Sequence, residues 1–283
     1  IQLDDAPIKF LAPCHGRTRE GRLWIYNDPA PGGAVCYLWH TNRSHECPES
    51  FLFDEQSGEL LFTGPLQGDC YSAHYTLVGK YPELDLVGCM AHMRRYFTDA
   101  LDLGERRYSP LVIRYIANLY AVETWLRDHK AGPALREAVR ASQSAPILRR
   151  LHRILTSIRS RTLPAGALGK AVNYALTHWE KLVGYLKDGR LEIDNNAAER
   201  AVRPSKLGMR NWLFIGNAEA GWAAAVMYTL VENCKRHGLD PYAYLKDVLT
   251  RLPEGELNVE QVAHLTPARM AGVRRHARCH SAA

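Results

Sequence analysis

Three acidic residues stand far apart in the sequence, each where a regular element begins or ends. Asp4 lies on a strand-like run, Asp69 ends a later run, and Glu199 lies in the first turn of a predicted helix. Carboxylates that a fold brings together can hold two Mg²⁺ ions roughly 3.5–4 Å apart, which activate the attacking oxygen and stabilise the leaving oxygen in phosphodiester cleavage. Asp5 and Asp28 are rivals to Asp4 as the first acid of such a set.

Each acid also has a structural interpretation, since spacing along the chain does not show that the acids converge. In LEIDNNAAERAVRP, Asn196 and Glu199 fit a capping box, which local sequence alone favours. Arg203 lies four residues after Glu199 and can pair with it on the helix. Asp4 fits a polar position on a half-exposed strand, and Asp69 fits a turn in QGDC. Taken singly, each acid is therefore a weak signal for a metal site.

The elements that must position these acids change character along the chain. The first ninety residues contain alternating, β-branched and aromatic runs typical of strands, namely IQLDD, RLWIYND, AVCYLWHT, GPLQGDCY and LDLVGC. Apolar residues then recur at helical spacing in AHMRRYFTDAL, PLVIRYIANLYAVETWLRDH, GPALREAVRASQ, APILRRLHRILTSIRSR and GALGKAVNYALTHWEKLVGYLKDG. Strands, a long helical block and then mixed elements predict an α/β domain interrupted by an all-α insertion.

Local signals mark where several of these elements end. The last run of the helical block is predicted to be one helix that stops at Gly189, and GWAAAVMYTLVENCKRHG is predicted to be a helix that ends at Gly238. Asp240 is expected to cap a further helix with Pro241 in its first position. NWLFIGN reads as a short strand or turn, and the basic tail from about Thr266 is expected to be loosely ordered.

Composition and charge narrow the class of protein. The chain has 46% hydrophobic and 23% charged residues, and no apolar run reaches the roughly 18 residues of a membrane helix, so we expect no membrane partner. Seven scattered cysteines without a C-x-x-C pair disfavour a disulfide framework or a four-cysteine zinc site, and they fit a reducing cytoplasm. Residues 94–161 carry 14 Lys and Arg against 6 Asp and Glu, which fits a nucleic-acid partner or a solvated helical surface. The start at Ile1, within a strand-like run, predicts a further segment upstream.

Several segments resemble one family. LKDGRLEIDNNAAERAVRPSKLGMRNWLFIGN and AAAVMYTLVENCKRHGLDPYAYLKDVLTRLP closely resemble the C-terminal catalytic region of the insertion sequence 66 family of bacterial transposases. Further similar segments follow the family's order, namely DDAPIKFLAP, GRTREGRLWIYNDP, GPLQGDCYSAHY, VGCMAHMRRYFTDA, LYAVE and LGKAVNYALTHWEKLVGYLKDG. The resemblance covers nearly all of residues 1–253.

The resemblance implies a ribonuclease H-like α/β fold with a mixed sheet and a large all-α insertion. It implies a DDE triad of Asp4, Asp69 and Glu199 that binds Mg²⁺ or Mn²⁺, with two ions expected. Such a site directs water to cleave a transposon end, after which the freed 3′-hydroxyl attacks target DNA. Another metal-dependent nuclease or resolvase of this fold, or an inactive DNA-binding remnant, is the alternative.

The same resemblance suggests a division of the chain and a set of partners. Residues 1–93 would form the first part of the catalytic domain, 94–188 the helical segment and insertion, 189–253 the remainder carrying the glutamate, and 254–283 a C-terminal tail. Transposon-end and target DNA are the expected partners. We also expect a homo-oligomer on DNA, and the resemblance makes accessory transposition proteins plausible partners.

Other residues around the two most specific motifs are candidates for supporting roles. His92, after Cys89 in a C-x-x-H pair, could orient a nucleophile or contact phosphate, and Asn196 would cap the glutamate helix by itself. Basic residues beside these motifs are candidates for phosphate contacts, because guanidinium groups match phosphate oxygens; they are Arg94, Arg95, Arg200, Arg203, Lys206 and Arg210. Trp212 fits a core position better than base stacking. Met90 and Trp222, which depart from the family pattern, fit compensating changes in core packing.

Overall fold

The computed structural model describes residues 1–12, 16–252 and 258–272. Its strands are β1 (Gln2–Leu11), β2 (Thr18–Asn27), β3 (Val35–His40), β4 (Phe53–Asp54), β5 (Glu59–Leu60), β6 (Gly64–Gly68) and β7 (Leu84–Gly88). Its helices are α1 (Glu46–Leu52), α2 (Ser72–Lys80), α3 (Met90–Asp102), α4 (Ser109–Asp128), α5 (Pro133–Val139), α6 (Ala145–Arg159), α7 (Ala167–Thr177), α8 (Trp179–Leu182), α9 (Asn196–Trp212), α10 (Ala218–Arg236), α11 (Pro241–Arg251) and α12 (Val259–His264).

The chain forms two compact units, and the first comprises residues 1–50 with the described residues from 197 onwards. In this unit β1, β2 and β3 form an antiparallel ladder, in which Asp4 lies opposite Ile25. Helix α10 is fixed to β3 because the Asn233 amide accepts from the Val35 backbone N–H at 3.1 Å and donates to its carbonyl at 2.6 Å. Apolar side chains of the ladder pack with those of α9 and α10, so this unit has its own core.

The second unit comprises residues 51–196. Strands β6 and β7 pair in parallel, and α2 connects them. Every residue between β7 and α9 is described, and none of them lies in a strand. Helices α3, α4, α6 and α7 each bury an apolar stripe, such as Leu148, Leu151 and Leu155 of α6, in a common core. The architecture is therefore mixed α/β with a long helical segment, as the sequence predicts.

A buried ion pair joins the helices of the second unit. Arg140 and Glu123 are both inaccessible to solvent, and the guanidinium binds the carboxylate in a fork with two N···O distances of 2.8 Å. Arg140 lies in a single π-helical turn, Arg140–Ser144, between α5 and α6. Burying an unpaired charge is very costly, so Arg140 requires Glu123. The Glu123 carboxylate also lies 3.3 Å from Arg136 Nη2, but Arg140 is its only fully buried partner among the described residues.

The same arginine holds the segment that leads into α9. Its Nη atoms donate to the carbonyl oxygens of Tyr185, Asp188 and Leu191 at 3.0, 3.2 and 2.8 Å. At Gly189, a Cβ would collide with the carbonyl group of Pro133, so only glycine allows this approach. The segment thus follows a path set by side chains of the helical block.

Most sequence-predicted elements are confirmed, with two corrections. The predicted single helix up to Gly189 is wrong: α7 ends at Thr177, and α8 and a 3₁₀ turn at Gly184–Lys187 follow. After the break, the Tyr185 carbonyl accepts a hydrogen bond from Arg140 Nη1 at 3.0 Å. The loosely ordered tail is also wrong where it is described, because residues 267–272 are helical; residues 273–283 lie outside the described residues.

The predicted helix boundaries near the C-terminus are confirmed. Helix α10 is followed by Gly238, whose φ of 68° is open to glycine without strain. Asp240 caps α11 by accepting from the Ala243 N–H at 2.7 Å, with Pro241 as the first helical residue. No helix in the described part of the chain combines the length and the hydropathy of a membrane span.

The substitution Arg140→Met tests the buried pair. It removes the bidentate ion pair with the buried Glu123 carboxylate, so we expect the free energy of unfolding to fall by about 3–5 kcal/mol. Urea denaturation followed by circular dichroism measures this change.

The matched control is Arg159→Met, which alters an exposed arginine and should change stability by less than about 0.5 kcal/mol. An equal, small effect of both substitutions would contradict the role given to Arg140.

Candidate active site

The two rivals for the first acid are engaged in structural contacts. Asp5 has a side chain that is only 3% exposed, and it binds Arg22 at 3.1 Å and Arg43 at 2.6 Å. Asp28 is exposed and accepts from the Ala30 N–H at 2.9 Å in a turn. Two arginines already neutralise Asp5, whereas Asp28 accepts one backbone N–H, just as Asp4 accepts from the Asp5 N–H at 2.9 Å. Asp4 therefore stays a prediction for the first acid.

Within the first unit, Asp4 and Glu199 lie on elements that touch. Gln2 and Asp4 share one face of β1, since alternate strand residues point the same way. The Gln2 side-chain oxygen accepts a hydrogen bond from the Ala198 N–H at 3.3 Å. Ala198 directly precedes Glu199 in the first turn of α9, so this contact joins the start of β1 to the turn that carries the glutamate.

Asp194 fixes the residue at which α9 begins. Its carboxylate accepts from the Asn196 backbone N–H at 3.1 Å and from the Asn196 side-chain amide at 2.7 Å. The hydroxyl of Tyr120, on α4, donates to the same carboxylate at 2.7 Å. Asn196 is the first residue of the helix and not the residue before it, so the prediction that Asn196 caps α9 is wrong. Asp194 stabilises this end of the helix. An aspartate two residues before a helix commonly bonds the first amides of that helix, so its position in the sequence could have indicated this role.

Asp69 belongs to the second unit and directly follows β6. His74, in the first turn of α2, is buried, and its Nδ1 lies 3.0 Å from the Asp69 carbonyl oxygen and 3.3 Å from Oδ1. This contact stabilises the turn between β6 and α2. Sequence reasoning did not single out His74, although its position five residues after Asp69 was visible.

Polar groups surround the residue after Asp69. Burial raises the pKa of the Cys70 thiol to about 11, with Tyr75 and Tyr174 as hydrogen-bonding neighbours that oppose the shift. The Tyr75 hydroxyl lies 2.6 Å from His178 Nδ1, and burial lowers the pKa of His178. Cys70 is therefore expected to stay a neutral thiol at physiological pH.

The C-x-x-H pair falls at the junction of β7 and α3. Cys89 is buried, which raises its pKa to about 12, and His92 is half-buried in the first turn of α3. Across the described residues, no group of three or more His, Cys, Asp or Glu side chains is arranged to hold a metal ion. Asp4 and Glu199 lie in one unit and Asp69 in the other.

The predicted phosphate-binding residues form an exposed row on α9. Arg203, Lys206 and Arg210 follow Glu199 at spacings of four, three and four residues, which places all four side chains on one helix face. The three basic residues are exposed. Arg200 lies beside this row and lines a cavity of about 360 Å³ within the first unit.

The other predicted basic residues lie on α3. Arg94 and Arg95 are exposed, whereas Met93 and Phe97 of the same helix are fully buried. The arginines thus lie on the solvent side of α3, as a phosphate-binding role requires.

The tryptophan and methionine predictions had mixed outcomes. Trp212 is half-buried and packs against the core of the first unit, and Met90 is fully buried, which confirms core roles for both. Trp222 is 62% exposed, so its interpretation as a core packing change is wrong.

Comparison with known proteins identifies the family. The family model described as "Transposase IS66 family" matches residues 1–223, and the model described as "IS66 C-terminal element" matches residues 229–268. The chain belongs to the IS66 transposase family. This result confirms the family that the sequence motifs indicate.

Curated relatives of this IS66 family chain come from Sinorhizobium fredii (strain NBRC 101917 / NGR234). "Uncharacterized protein y4jD" is 34% identical over 93% of this chain and 52% of its own length. "Uncharacterized protein y4qI" is 33% identical over 89% of this chain and 47% of its own length, and "Uncharacterized protein y4hP" is 31% identical over the same shares. The chain therefore spans about half the length of the curated relatives it matches.

The reactivity of Cys70 tests the environment beside Asp69. With a pKa of about 11 against an ordinary 9.0, its thiolate fraction at pH 8 falls about 100-fold, and alkylation by iodoacetamide slows accordingly. The same shift lowers stability as pH rises from about 9 to about 11, because the unfolded chain releases the thiol proton first. Peptide mass spectrometry after timed alkylation measures the rate.

The urea-unfolded protein is the control, in which Cys70 should react at the rate of an ordinary thiol. Reaction at that rate in the folded protein would contradict the environment described for Cys70.

Proposed function

We propose that this chain is the catalytic core of a DDE transposase that cleaves transposon-end DNA and joins it to target DNA. Membership of the IS66 transposase family across nearly the whole chain carries the proposal. The triad would be Asp4, Asp69 and Glu199, the acids in the family-like motifs. Asn196 and His92 would support the triad from the starts of α9 and α3.

The order of elements supports a ribonuclease H-like fold within this proposal. Three antiparallel strands come first, two parallel strands joined by a helix follow, and a helical block precedes the helix of Glu199. In this arrangement residues 1–93 and 189–253 build the catalytic domain, 94–188 form the helical segment and insertion, and 254–283 form the tail.

The proposed metal ligands fit Mg²⁺ or Mn²⁺ by their chemistry. Carboxylate oxygens are the ligands these hard cations prefer, and all three acids are partly accessible to solvent. Like charges repel one another until a cation neutralises them, so the proposal requires that the acids close on the metal when it binds. When bound, two ions would stabilise the charge that develops on the phosphate and on the leaving oxygen.

The residues of the chain would divide the remaining tasks. The basic row on α9 begins one turn after Glu199 and extends about 16 Å from it along the helix, at 1.5 Å per residue. Arg203, Lys206 and Arg210 would therefore hold the DNA backbone leading to the cleavage site. Arg200, Arg94 and Arg95 would add phosphate contacts from neighbouring helix faces. The salt dependence of binding should be steep, because each contact releases counterions.

The wider context is also part of the proposal. The five described cysteines are free, which favours a reducing cytoplasm as the location. Transposon ends and target DNA would be the substrates, bound by a homo-oligomer, with accessory transposition proteins as further partners.

The substitution Glu199→Gln tests the proposal. The amide cannot supply a carboxylate ligand, so we expect Mg²⁺-dependent cleavage of labelled transposon ends to be abolished while DNA affinity stays unchanged. Glu219→Gln is the matched control, since Glu219 is an exposed glutamate in the first turn of α10. Gel analysis with a target plasmid measures cleaved and joined products together.

Normal cleavage by the Glu199→Gln protein would show that the site is assigned wrongly. Cleavage by the unaltered protein without any joined product would show a nuclease or resolvase and not a transposase.

A further inference from the structure

A groove between α4 and α6 is lined by four arginines and lies outside the proposed catalytic machinery. It has a volume of about 600 Å³ and is lined by, among others, Arg114, Tyr115, Asn118, Arg149, Arg150 and Arg153. A second hollow of about 450 Å³ shares Tyr115, Arg150 and Arg153 with it. The two hollows form one continuous surface, the α4–α6 groove, which lies entirely within the second unit.

The composition of α6 makes this groove positively charged. The helix contains four arginines and no acidic residue. Its leucines at 148, 151 and 155 are buried, so the intervening Arg149, Arg150 and Arg153 are held on the outer face. Arg114 adds a fourth charge from α4. The arrangement follows from helical periodicity, because the apolar stripe turns inwards.

The described part of the chain does not neutralise the charges of the groove. Within the described ranges, none of its four arginines has a carboxylate at ion-pair distance, and all four are exposed. The nearby acid of α4, Glu123, is buried against Arg140. By contrast Arg127 and Arg136, on neighbouring parts of the same helical block, are paired with Glu192. The groove thus keeps a net positive charge for a ligand.

We propose that the α4–α6 groove binds the backbone of double-stranded DNA outside the cleavage site. Guanidinium forks bond two phosphate oxygens at once, and the Tyr115 and Asn118 side chains are of types that bond phosphate and sugar. Bound here, DNA is held by the helical insertion independently of the α9 row. This inference rests on the proposed function, which supplies DNA as the ligand.

Salt-dependent DNA binding tests the groove. We expect R149Q/R150Q/R153Q to lower the affinity for a random duplex of about 30 base pairs by roughly tenfold or more near 150 mM KCl, and to reduce the slope of log affinity against log salt by about 2–3. Fluorescence anisotropy over a KCl series measures both. The variant R149K/R150K/R153K keeps the charge and should keep the slope.

The matched control is K130Q/K170Q/K187Q, which removes the same charge from exposed lysines of the same unit that do not line the groove. It should bind DNA nearly as the unaltered protein does. Circular dichroism confirms that each variant is folded.

Equal DNA binding by the groove variant and this control would overturn the inference, and so would preferential loss of polyglutamate binding, which would indicate an acidic protein partner. The proposed function is tested separately. If the unaltered protein never cleaves transposon ends but the groove variant still loses DNA affinity, DNA binding by the groove is supported and the proposed transposase chemistry is contradicted.

Discussion

The buried pair of Arg140 and Glu123 is the interaction on which the entry into α9 depends. A guanidinium removed from water must satisfy its donors inside the protein. Arg140 does so with one carboxylate and three backbone carbonyls. Those carbonyls belong to the segment that precedes α9, so pairing within the helical block also sets the path of the chain towards the glutamate helix.

Other contacts act on the same segment. Glu137 accepts from the Gly189 N–H at 2.8 Å, and Arg136 binds Glu192 at 2.8 Å. Tyr120 then holds Asp194, which fixes Asn196 at the start of α9. Without such contacts, the segment that leads from the helical block into α9 would have no fixed position. These contacts bind that segment to side chains of α4 and α5 before α9 begins.

The helical block therefore has two chemically different faces. The inner faces of α4 and α6 carry the leucines and the Glu123 carboxylate. The outer faces carry the arginines of the α4–α6 groove, which have no ion-pair partner among the described residues. Buried charges are paired because desolvation is costly. Exposed charges need no partner within the protein, because water and salt screen them, so they can bind a charged ligand. One stretch of sequence thus supplies both the buried contacts that stabilise the fold and the exposed arginines that are proposed to bind DNA.

The sequence predicts the elements well because their signals are local. Alternation marks β1, a β-branched and aromatic run marks β2, helical spacing marks α4 and α6, and Asp240 with Pro241 marks the start of α11. The break after Thr177 and the contact of Asp194 with Tyr120 depend on partners distant in the chain, so local patterns could not predict them. For the candidate acids, local sequence favoured a capping box at Asn196 and Glu199. The family motifs favoured a metal-binding role for Glu199 instead; the structure makes Asn196 the first residue of α9, and the role of Glu199 stays a prediction.

The central claim is that Asp4, Asp69 and Glu199 share bound metal. Fe²⁺, added in place of Mg²⁺ with ascorbate and peroxide, generates hydroxyl radicals that cut the protein backbone beside the bound ion, and mass spectrometry maps the cuts. The account predicts cuts near residues 4, 69 and 199 in the same protein, all suppressed by excess Mg²⁺ and by Asp69→Asn. Cuts confined to other segments, or cuts near residues 4 and 199 that persist in Asp69→Asn, would contradict it.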